Sequence, residues 1–467
     1  MKKIFYTILA VGLLGACQTL DQNPSTQIPD DTAIETVEDL GKSVNGAYYL
    51  ATYGSDMTLA SELAIYADEL GPDSKVIDGS GQFAQKIHER SVTSSDSWNA
   101  YAYLYRALAN INKSLKAAEL LEDQEGAAPY VAELTAMRGL FHFHLATFFA
   151  PIPTSGSENT MGIVLSTDVY DKSYKGARAT LEQTYTQIVA DLTTAIQSGN
   201  LSKKAKNGHI NYWAALAIRA RANLYWGKNA EALADAKAVI DGVKEGKAPY
   251  ALYTTENYVD VWKGDSGSEI ILQYVMDDDY NAQRYAPGYY THPDGYCEYG
   301  VTDEFFDFMK ENPKDIRSNM VAERDTETGK GTPGKYPMKY PGKSGSVVPL
   351  YSHSIKVVRL AEMYLIAAEA AFKEEGAAAA VPYLNELRQT RIADYSDVTT
   401  TDIDDIINER RKELFAEGQI AFDYWRNGKS ITSEARTFAP GAEENILPIP
   451  LAEIEVCGGV LKQNPGY

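Results

Sequence analysis

IKVVRLAEMYLIAAEAAFKEEG (355–376), with AAAAVPYLNELRQTR (377–391) directly after it, is the stretch that decides the fold of this chain. Most of its residues are apolar or small. Four charged residues fall on one stripe at helical spacings: Arg359, Glu362, Glu369 and Lys373. A helix that is apolar over most of its circumference has to be buried between neighbours, and alanines let those neighbours come close. We therefore expect a core helix of a mostly α-helical fold.

The same stretch predicts two antiparallel helices. Gly376 stands where the first helix should stop, as a left-handed carboxyl-terminal cap requires, and a second helix returns through Tyr383 and Leu387. Pro382 falls where this return helix should be running, so the helix either begins near Val381 or is kinked.

This plan is repeated earlier in the chain. AALAIRARANLYWGKNAEALADAKAVI (214–240) again places a glycine, Gly227, between two alanine-rich helices. Repeated units of helix, glycine turn and helix look like tetratricopeptide-type hairpins. Because the copies are unevenly spaced, we expect hairpins set inside a larger globule rather than an open solenoid.

The composition narrows the class of protein. The net charge of -20 and the pI near 4.8 argue against nucleic acid as a partner and against attachment to anionic lipid by charge alone. The chain has 32 tyrosines against 13 phenylalanines and 5 tryptophans. Since tyrosine joins an apolar ring to a polar tip, this excess favours a binding protein.

The amino terminus carries an export signal. MKKIFYTILAVGLLGAC (1–17) has two lysines, an apolar run too short to span a bilayer, and a final Leu-Gly-Ala-Cys, which is a bacterial lipobox. We predict a signal peptide at 1–16, lipidation of Cys17, a polar tether at 17–30 and a single water-soluble domain at 31–467. The alternative is an ordinary secretory signal with a chance cysteine.

Hydrophobic spacing predicts further helices at 32–50, 57–70, 98–115, 129–149 and 181–196. Helical hairpins at about 97–241 and 354–427 flank an irregular insert at about 244–354, which is rich in glycine, proline and tyrosine and has a short strand-like run at 269–276. The polar segment 71–97 is predicted to be a long surface loop. A helical scaffold with a loop-rich insert is typical of a binding protein.

We expect no enzyme activity, no cofactor and no metal. The sequence has no Walker loop, dinucleotide fingerprint, nucleophile elbow or paired-cysteine metal site, although scattered glycosidase carboxylates would leave no motif. His142 and His144 lie two apart on a helix, hence on different faces, and are interpreted as core or surface histidines. The aspartates at 277–279 favour a solvated loop over a calcium site.

Two other groups have structural interpretations. Thr401 is the predicted cap of a helix whose charged residues of both signs indicate an ion-pair network rather than a catalytic site. These residues are Glu409, Arg410, Arg411 and Glu413. Cys297 and Cys457 can pair in an oxidising compartment, but two free thiols are favoured.

The best candidate for recognition lies in the insert. YNAQRYAPGYYTHPDGYCEYG (280–300) holds tyrosines whose faces can stack on sugar rings, and polar side chains, Asp294 among them, that can hydrogen-bond hydroxyl groups. The alternative is that the tyrosines pack the insert onto the helices, and we expect a mixture. Trp98, at a loop-to-helix junction, is either a core anchor or a site wall. The candidate ligand-binding residues are Tyr285, Tyr289, Tyr290, Tyr296, Arg284, Asn281, Trp98 and Asp73.

Several stretches, taken in order, resemble the SusD/RagB family of Bacteroidetes outer-membrane lipoproteins. After the lipobox come DLGKSVNGAYY (39–49), LYRALANIN, AMRGLFHFHLATFFAPIP, the 214–226 helix, RLAEMYLIAAEA, NELRQTR and ERRKELFAEGQIAFDYWR. The ending ILPIPLAEIEVCGGVLKQNPGY is similar to the close of family members. The departures are Pro382 and the Cys457-Gly458-Gly459 run, where the family usually has an Asn-Pro-rich turn.

The resemblance implies a mostly α SusD-like fold with tetratricopeptide-like pairs on one side and a loop-built ligand face on the other. It implies a lipid-anchored protein on the outer membrane at the cell surface, which captures oligosaccharides or, in the RagB branch, peptides. Lid closure and delivery to a SusC-like TonB-dependent β-barrel transporter would follow, without bond breaking. No family motif carries the ligand-binding positions over. The runner-up is a structural or adhesive surface lipoprotein that uses its hairpins for protein contacts alone, and a surface hydrolase is third.

Overall fold

The computed structural model describes residues 33–52, 59–77, 82–96, 99–171, 173–206, 208–324, 333–433 and 436–467. The predicted signal peptide, the lipidation site Cys17, the tether and the candidate site residue Trp98 lie outside these residues.

Helices dominate the described residues, as the mostly α prediction requires, and the five helices predicted between 32 and 196 are all present with ends shifted by a few residues. None of the described helices is long and apolar enough to cross a bilayer. They are α1 (Val37–Thr52), α2 (Leu59–Glu69), α3 (Gln82–His88), α4 (Asn99–Ala118), α5 (Gln124–Phe149), α6 (Leu181–Gln197), α7 (Tyr212–Trp226), α8 (Asn229–Lys244), α9 (Tyr258–Gly264), α10 (Pro287–Thr291), α11 (Asp303–Lys310), α12 (Leu360–Glu375), α13 (Ala377–Arg391), α14 (Ile403–Leu414), α15 (Ile420–Arg426) and α16 (Leu451–Val456).

Short antiparallel strand pairs hold the irregular segments. The pairs are β1 (Ser74–Val76) with β3 (Tyr299–Val301), β2 (Ile270–Tyr274) with β6 (Ile355–Arg359), β4 (Val321–Arg324) with β5 (Gly334–Pro337), and β7 (Ile431–Ser433) with β8 (Arg436–Phe438). In the second pair Tyr274 lies opposite Ile355, so the two ends of the segment 275–354 are fastened side by side. The larger part of the insert therefore leaves the β2–β6 pair and returns to it at one place.

Both predicted hairpins are present, and they pack on each other through α8 and α12. Gly227 ends α7 in the left-handed conformation, with φ 81° and ψ 14°. Gly376 ends α12 at φ 91°, where glycine is favoured, but its ψ of −175° differs from that of the predicted left-handed cap. Thus the glycines end the first helix of each pair at the expected positions.

Three local predictions need correction. Residues 355–359 form the strand β6 rather than the start of the core helix, and every one of them is buried. Of the two alternatives for Pro382, a start of the return helix near Val381 is wrong, because α13 begins at Ala377 and Pro382 lies inside it, while a kink stays a prediction. Asp402, not Thr401, caps α14, because the Asp402 carboxylate accepts the backbone N–H of Asp405 at 2.8 Å. Threonine and aspartate side chains can both accept a hydrogen bond from the backbone N–H groups at the start of a helix, and here the aspartate does so.

The segment 71–97 is also not a simple surface loop. Its described part contains β1 and α3, and Asp73, Ser74 and Arg90 are buried. Arg90 donates to the Leu70 carbonyl at 3.0 Å and to the Asn445 side chain at 3.2 Å. The bond to Asn445 ties the segment to the carboxyl-terminal part of the chain.

A buried ion-pair network is centred on Glu413 of α14, as the interpretation of that helix predicted. Its carboxylate accepts from Arg391 Nε at 3.0 Å, Arg359 Nη1 at 3.0 Å and Arg317 Nη1 at 3.2 Å, and none of the four side chains is more than 1% exposed. Glu269 of the insert pairs with both Arg359 and Arg391. Burial alone would raise the pKa of the Glu413 carboxyl. The attraction between the carboxylate and the three arginines outweighs this effect and holds the pKa below its usual range.

A second buried network joins the core helix to α14 and α15. Glu369 of α12 pairs with Arg426, and Arg410 donates to Asp423 at 2.7 Å. Arg426 also donates to Asp423 at 2.7 Å. Of the charged stripe, Arg359, Glu362 and Glu369 therefore form interior ion pairs, while Lys373 lies at the surface.

We predict that Glu413→Gln lowers the free energy of unfolding by about 3–5 kcal/mol, because it removes a counter-charge that three buried guanidinium groups share. Chemical denaturation followed by circular dichroism measures this. The exposed pair of Lys237 with Asp241 is the control, and Lys237→Gln should cost less than about 1 kcal/mol. Equal effects of the two substitutions would contradict a stabilising role for the network.

Helix α2 carries a different set of buried carboxylates, Glu62, Asp68 and Glu69, which form no ion pair with any described residue. No described residue hydrogen-bonds to either oxygen of the Glu69 side chain. The same is true of Glu62 Oε2 and Asp68 Oδ2. Burial raises the pKa of all three carboxyls well above their ordinary values. Such a group is neutral in the folded state at a pH where it is ionised in the unfolded chain, so it destabilises the fold as pH rises.

We predict that Glu69→Gln becomes more stabilising as pH rises above 4.5, the ordinary pKa of the side chain. Below that pH the carboxyl is protonated in both states and contributes nothing. Between pH 4 and pH 8, the difference in unfolding free energy between variant and wild type should grow by at least about 1 kcal/mol. Denaturation curves at the two pH values test this, with Glu374→Gln on the exposed side of α12 as the control. A pH-independent difference would contradict the prediction.

Candidate ligand-binding site

The tyrosine-rich segment of the insert folds into a tight turn. A 3-10 turn at Gln283–Tyr285 leads into α10, and the chain then reverses so that Tyr296 N donates to Tyr289 O at 2.7 Å. Gly295 is needed at this reversal, because a Cβ there would lie only 2.2 Å from Tyr289 O. The reversal brings tyrosines from both arms of the turn together.

Four predicted tyrosines and one that was not predicted form a connected group of rings. Tyr289 meets Tyr296 edge-on with ring centroids 4.8 Å apart, and it meets Tyr351 in the same way at 5.1 Å. Tyr290 lies 5.8 Å from Tyr296 and 6.5 Å from Tyr285. We call Tyr285, Tyr289, Tyr290, Tyr296 and Tyr351 the tyrosine cluster.

The tyrosine cluster has a buried base and an accessible upper surface. Tyr290 is 3% exposed and packs with Ile65 of α2 and Tyr299 of β3. Tyr296 is 42% exposed, and Tyr285, Tyr289 and Tyr351 are half-buried. Tyr290 therefore fastens the insert to the helices, while the other four rings keep surface in contact with solvent.

Arg284 stands exposed at the edge of the tyrosine cluster. Hydrogen bonds to the hydroxyls of Tyr351 and Tyr296 raise the pKa of Arg284. The guanidinium is thus a permanent cation with donors beside several ring faces. Asp294, at the turn, is half-exposed and pairs with Arg324 at 2.7 Å.

Two of the predicted site residues serve the protein's own structure. The buried Asn281 side chain donates to the carbonyls of Asp277 and Asp278 at 2.9 and 3.1 Å and so closes its own loop. Asp73 is buried and pairs with Arg411 of α14 at 2.5 Å. We therefore leave Asn281 and Asp73 out of the candidate site.

Tyr351 was missed because nothing near it in the sequence marks it as a partner of the insert's tyrosines. It lies in the loop before β6, and only the closure of the insert by β2 and β6 brings it to Tyr289. A pairing of this kind depends on the fold and leaves no local pattern in the sequence.

The other residues considered for chemistry have structural surroundings. His142 and His144 are buried in α5, and burial lowers the pKa of each to about 3, so both are neutral. The aspartates at 277–279 are exposed. Cys297 and Cys457 are not joined in a disulfide. Among the described residues, no three His, Cys, Asp or Glu side chains are grouped so as to hold a metal ion.

Comparisons with known proteins agree with this architecture. A family model described as the SusD family matches residues 309–467, and one described as starch-binding associating with outer membrane matches residues 19–224. No curated protein sequence matches the chain.

Solved structures share the fold over almost the whole chain. A SusD superfamily protein from Bacteroides thetaiotaomicron VPI-5482 has a TM-score of 0.83 and 28% identity, covering 92% of this chain and 100% of that one. A SusD superfamily protein from Bacteroides vulgatus ATCC 8482 has the same TM-score and identity, covering 93% of this chain and 100% of that one. Surface glycan-binding protein A from Bacteroides thetaiotaomicron, in complex with laminarihexaose, has a TM-score of 0.74 and 20% identity, covering 92% and 99%.

The two family models fall on different parts of the chain, and the similar structures cover more than nine-tenths of it. The ordered motifs, the helical hairpins, the family models and these structures all lead to the same assignment: this chain belongs to the SusD/RagB family.

Proposed function

We propose that this protein is a nutrient-binding lipoprotein of the outer membrane, which captures oligosaccharides or peptides at the cell surface. The tyrosine cluster and Arg284 form its ligand-binding surface. The ligand passes unchanged to a SusC-like TonB-dependent β-barrel transporter, and Cys17 carries the lipid that holds the protein on the membrane.

The observation that carries the proposal is the open face of the tyrosine cluster. Tyr289 and Tyr296 meet edge-on, so their faces point in different directions and can contact successive units of a chain-like ligand. Arg284 supplies donors for hydroxyl or carbonyl oxygens at the same edge. Because Tyr290 and Gly295 fix the turn from below, the rings are held in place before a ligand arrives, which lowers the entropy cost of binding.

The similar structures support the glycan class. Surface glycan-binding protein A, whose fold this chain shares, holds laminarihexaose, and another protein of similar fold is a laminarin-binding SusD-like protein. Both are about one-fifth identical to this chain, so they support a glycan as the ligand without indicating which glycan.

We predict that Tyr296→Ala and Tyr289→Ala each weaken ligand binding about five- to tenfold, since each removes an aromatic contact worth about 1 kcal/mol. Isothermal titration of the chain lacking residues 1–17, against laminarin, other oligosaccharides and peptide digests, measures the effect and separates the two ligand classes.

Tyr174→Ala is a matched control for this titration, because Tyr174 is 48% exposed and lies outside the tyrosine cluster. It should bind as the wild type does. If the two cluster variants also bind as the wild type does, the tyrosine cluster is a packing feature and the proposed site is wrong. If no saccharide or peptide binds, the runner-up, a surface lipoprotein that makes protein contacts alone, is favoured.

We also predict that Cys17→Ser moves the protein from the membrane to the soluble fraction, because the sulfur that accepts the diacylglycerol is lost and no described helix can replace the anchor. Fractionation of cells expressing the two forms, followed by immunoblotting, measures the distribution. The substitution of another residue in the tether, Thr19→Ser, should leave the protein on the membrane. Retention of Cys17→Ser on the membrane would contradict lipid anchoring through this residue.

A further inference from the structure

A second aromatic site lies apart from the tyrosine cluster, in a cleft between the carboxyl-terminal half of α1 and the end of β2. Its volume is about 470 Å³, within the range of about 300–1,000 Å³ that is typical of small-molecule sites. The residues that line it include Asn45, Tyr48, Tyr49, His209, Tyr274 and Tyr280. None of them belongs to the tyrosine cluster.

The floor of this cleft is held rigidly by hydrogen bonds. The Tyr48 hydroxyl donates to Glu133 Oε1 at 3.0 Å and accepts from Ile210 N at 2.9 Å. The Tyr274 hydroxyl lies 2.9 Å from His144 Nε2. Both rings are thereby fixed, and they form a preformed surface.

The rim of the cleft presents aromatic surface to solvent. Tyr49 is 47% exposed, and its ring lies 5.6 Å from that of Tyr280 with an angle of 32° between the planes. Tyr49 and Asn45 are four residues apart on α1, so both side chains point to the same side of the helix. The exposed ring of Tyr49 and the exposed amide of Asn45 therefore lie next to each other at the mouth of the cleft.

The polar groups of the cleft suit a neutral ligand that carries hydroxyl groups. His209 Nδ1 lies 2.8 Å from Glu133 Oε1, and since a carboxylate only accepts, Nδ1 carries the hydrogen. No hydrogen bond joins Nε2 to a described residue, so Nε2 can interact with a ligand. The two ionisable groups, Glu133 and His209, are thus already paired with each other. Aromatic faces combined with an amide and an imidazole nitrogen match the apolar face and hydroxyl edge of a sugar ring.

We propose that this cleft is a second saccharide-binding site, in which a sugar ring packs against Tyr49 and Tyr280 and hydrogen-bonds His209 and Asn45. With the tyrosine cluster it would let one molecule hold a glycan at two points, which raises the overall affinity without any tighter single contact. The inference goes beyond the proposed function and does not depend on the tyrosine cluster.

The test uses the Tyr289→Ala/Tyr296→Ala double variant of the chain lacking residues 1–17 as its starting protein, so that binding at the tyrosine cluster is removed. Maltose, cellobiose and laminaribiose serve as probes in saturation-transfer NMR, and affinity is measured by titration. We expect at least one probe to bind the double variant at one site. Adding Tyr49→Ala or His209→Gln should weaken that binding at least fivefold, whereas the equally exposed control Tyr174→Ala should leave it unchanged.

Two results would overturn the proposal. One is that no probe binds the double variant, and the other is that Tyr49→Ala and His209→Gln bind the probe as the control does. The outcome for the tyrosine cluster is separate, because it is measured by comparing the double variant with the wild type. If the double variant binds as the wild type does and Tyr49→Ala abolishes that binding, the cleft is supported as a saccharide-binding site and the proposed role of the tyrosine cluster is wrong.

Discussion

The burial of charge at Glu413 is the constraint on which the rest of the fold depends. A carboxylate that stays ionised away from water must find its partners inside the protein, and removal of a partner costs more than the pair contributes. Here the partners come from different parts of the chain: Arg317 from the insert, Arg359 from β6 and Arg391 from α13. One anion therefore fixes the position of the insert relative to β6, α13 and α14.

The helical part of this fold was predictable because its signal is local. The alanine-rich apolar run of α12 and the glycines at 227 and 376 can be recognised without knowing what packs around them. The strand β6 was not predictable in this way, because Lys356 and Arg359 continue the helical spacing of the charged residues. Their partners, Asp265 and Glu269, are far away in sequence. An ion pair between residues far apart in sequence forms only in the folded protein, so the sequence around either residue does not indicate it.

The same distinction applies to the candidate site. Tyr289 and Tyr296 could be grouped from the sequence because a short turn joins them, whereas Tyr351 and the pairing of Tyr49 with Tyr280 needed the fold. Asn281 shows the opposite error: a polar residue in a tyrosine-rich loop suggested recognition, but its amide closes its own turn. Composition indicates which side chains are suited to a ligand, and only geometry indicates which of them are left free for one.

The long sequence separations within the buried network have a consequence for the order of folding. Glu269 meets Arg359 and Arg391 90 and 122 residues later, and both arginines also pair with Glu413. A chain made amino terminus first therefore contains the whole insert before it contains these partners. Until they follow, the insert has its contacts with preceding elements, such as that of Tyr290 with Ile65, but Glu269 lacks its counter-charges. A chain truncated before β6 would keep every tyrosine of the cluster and none of the ion pairs that Glu269 makes with Arg359 and Arg391.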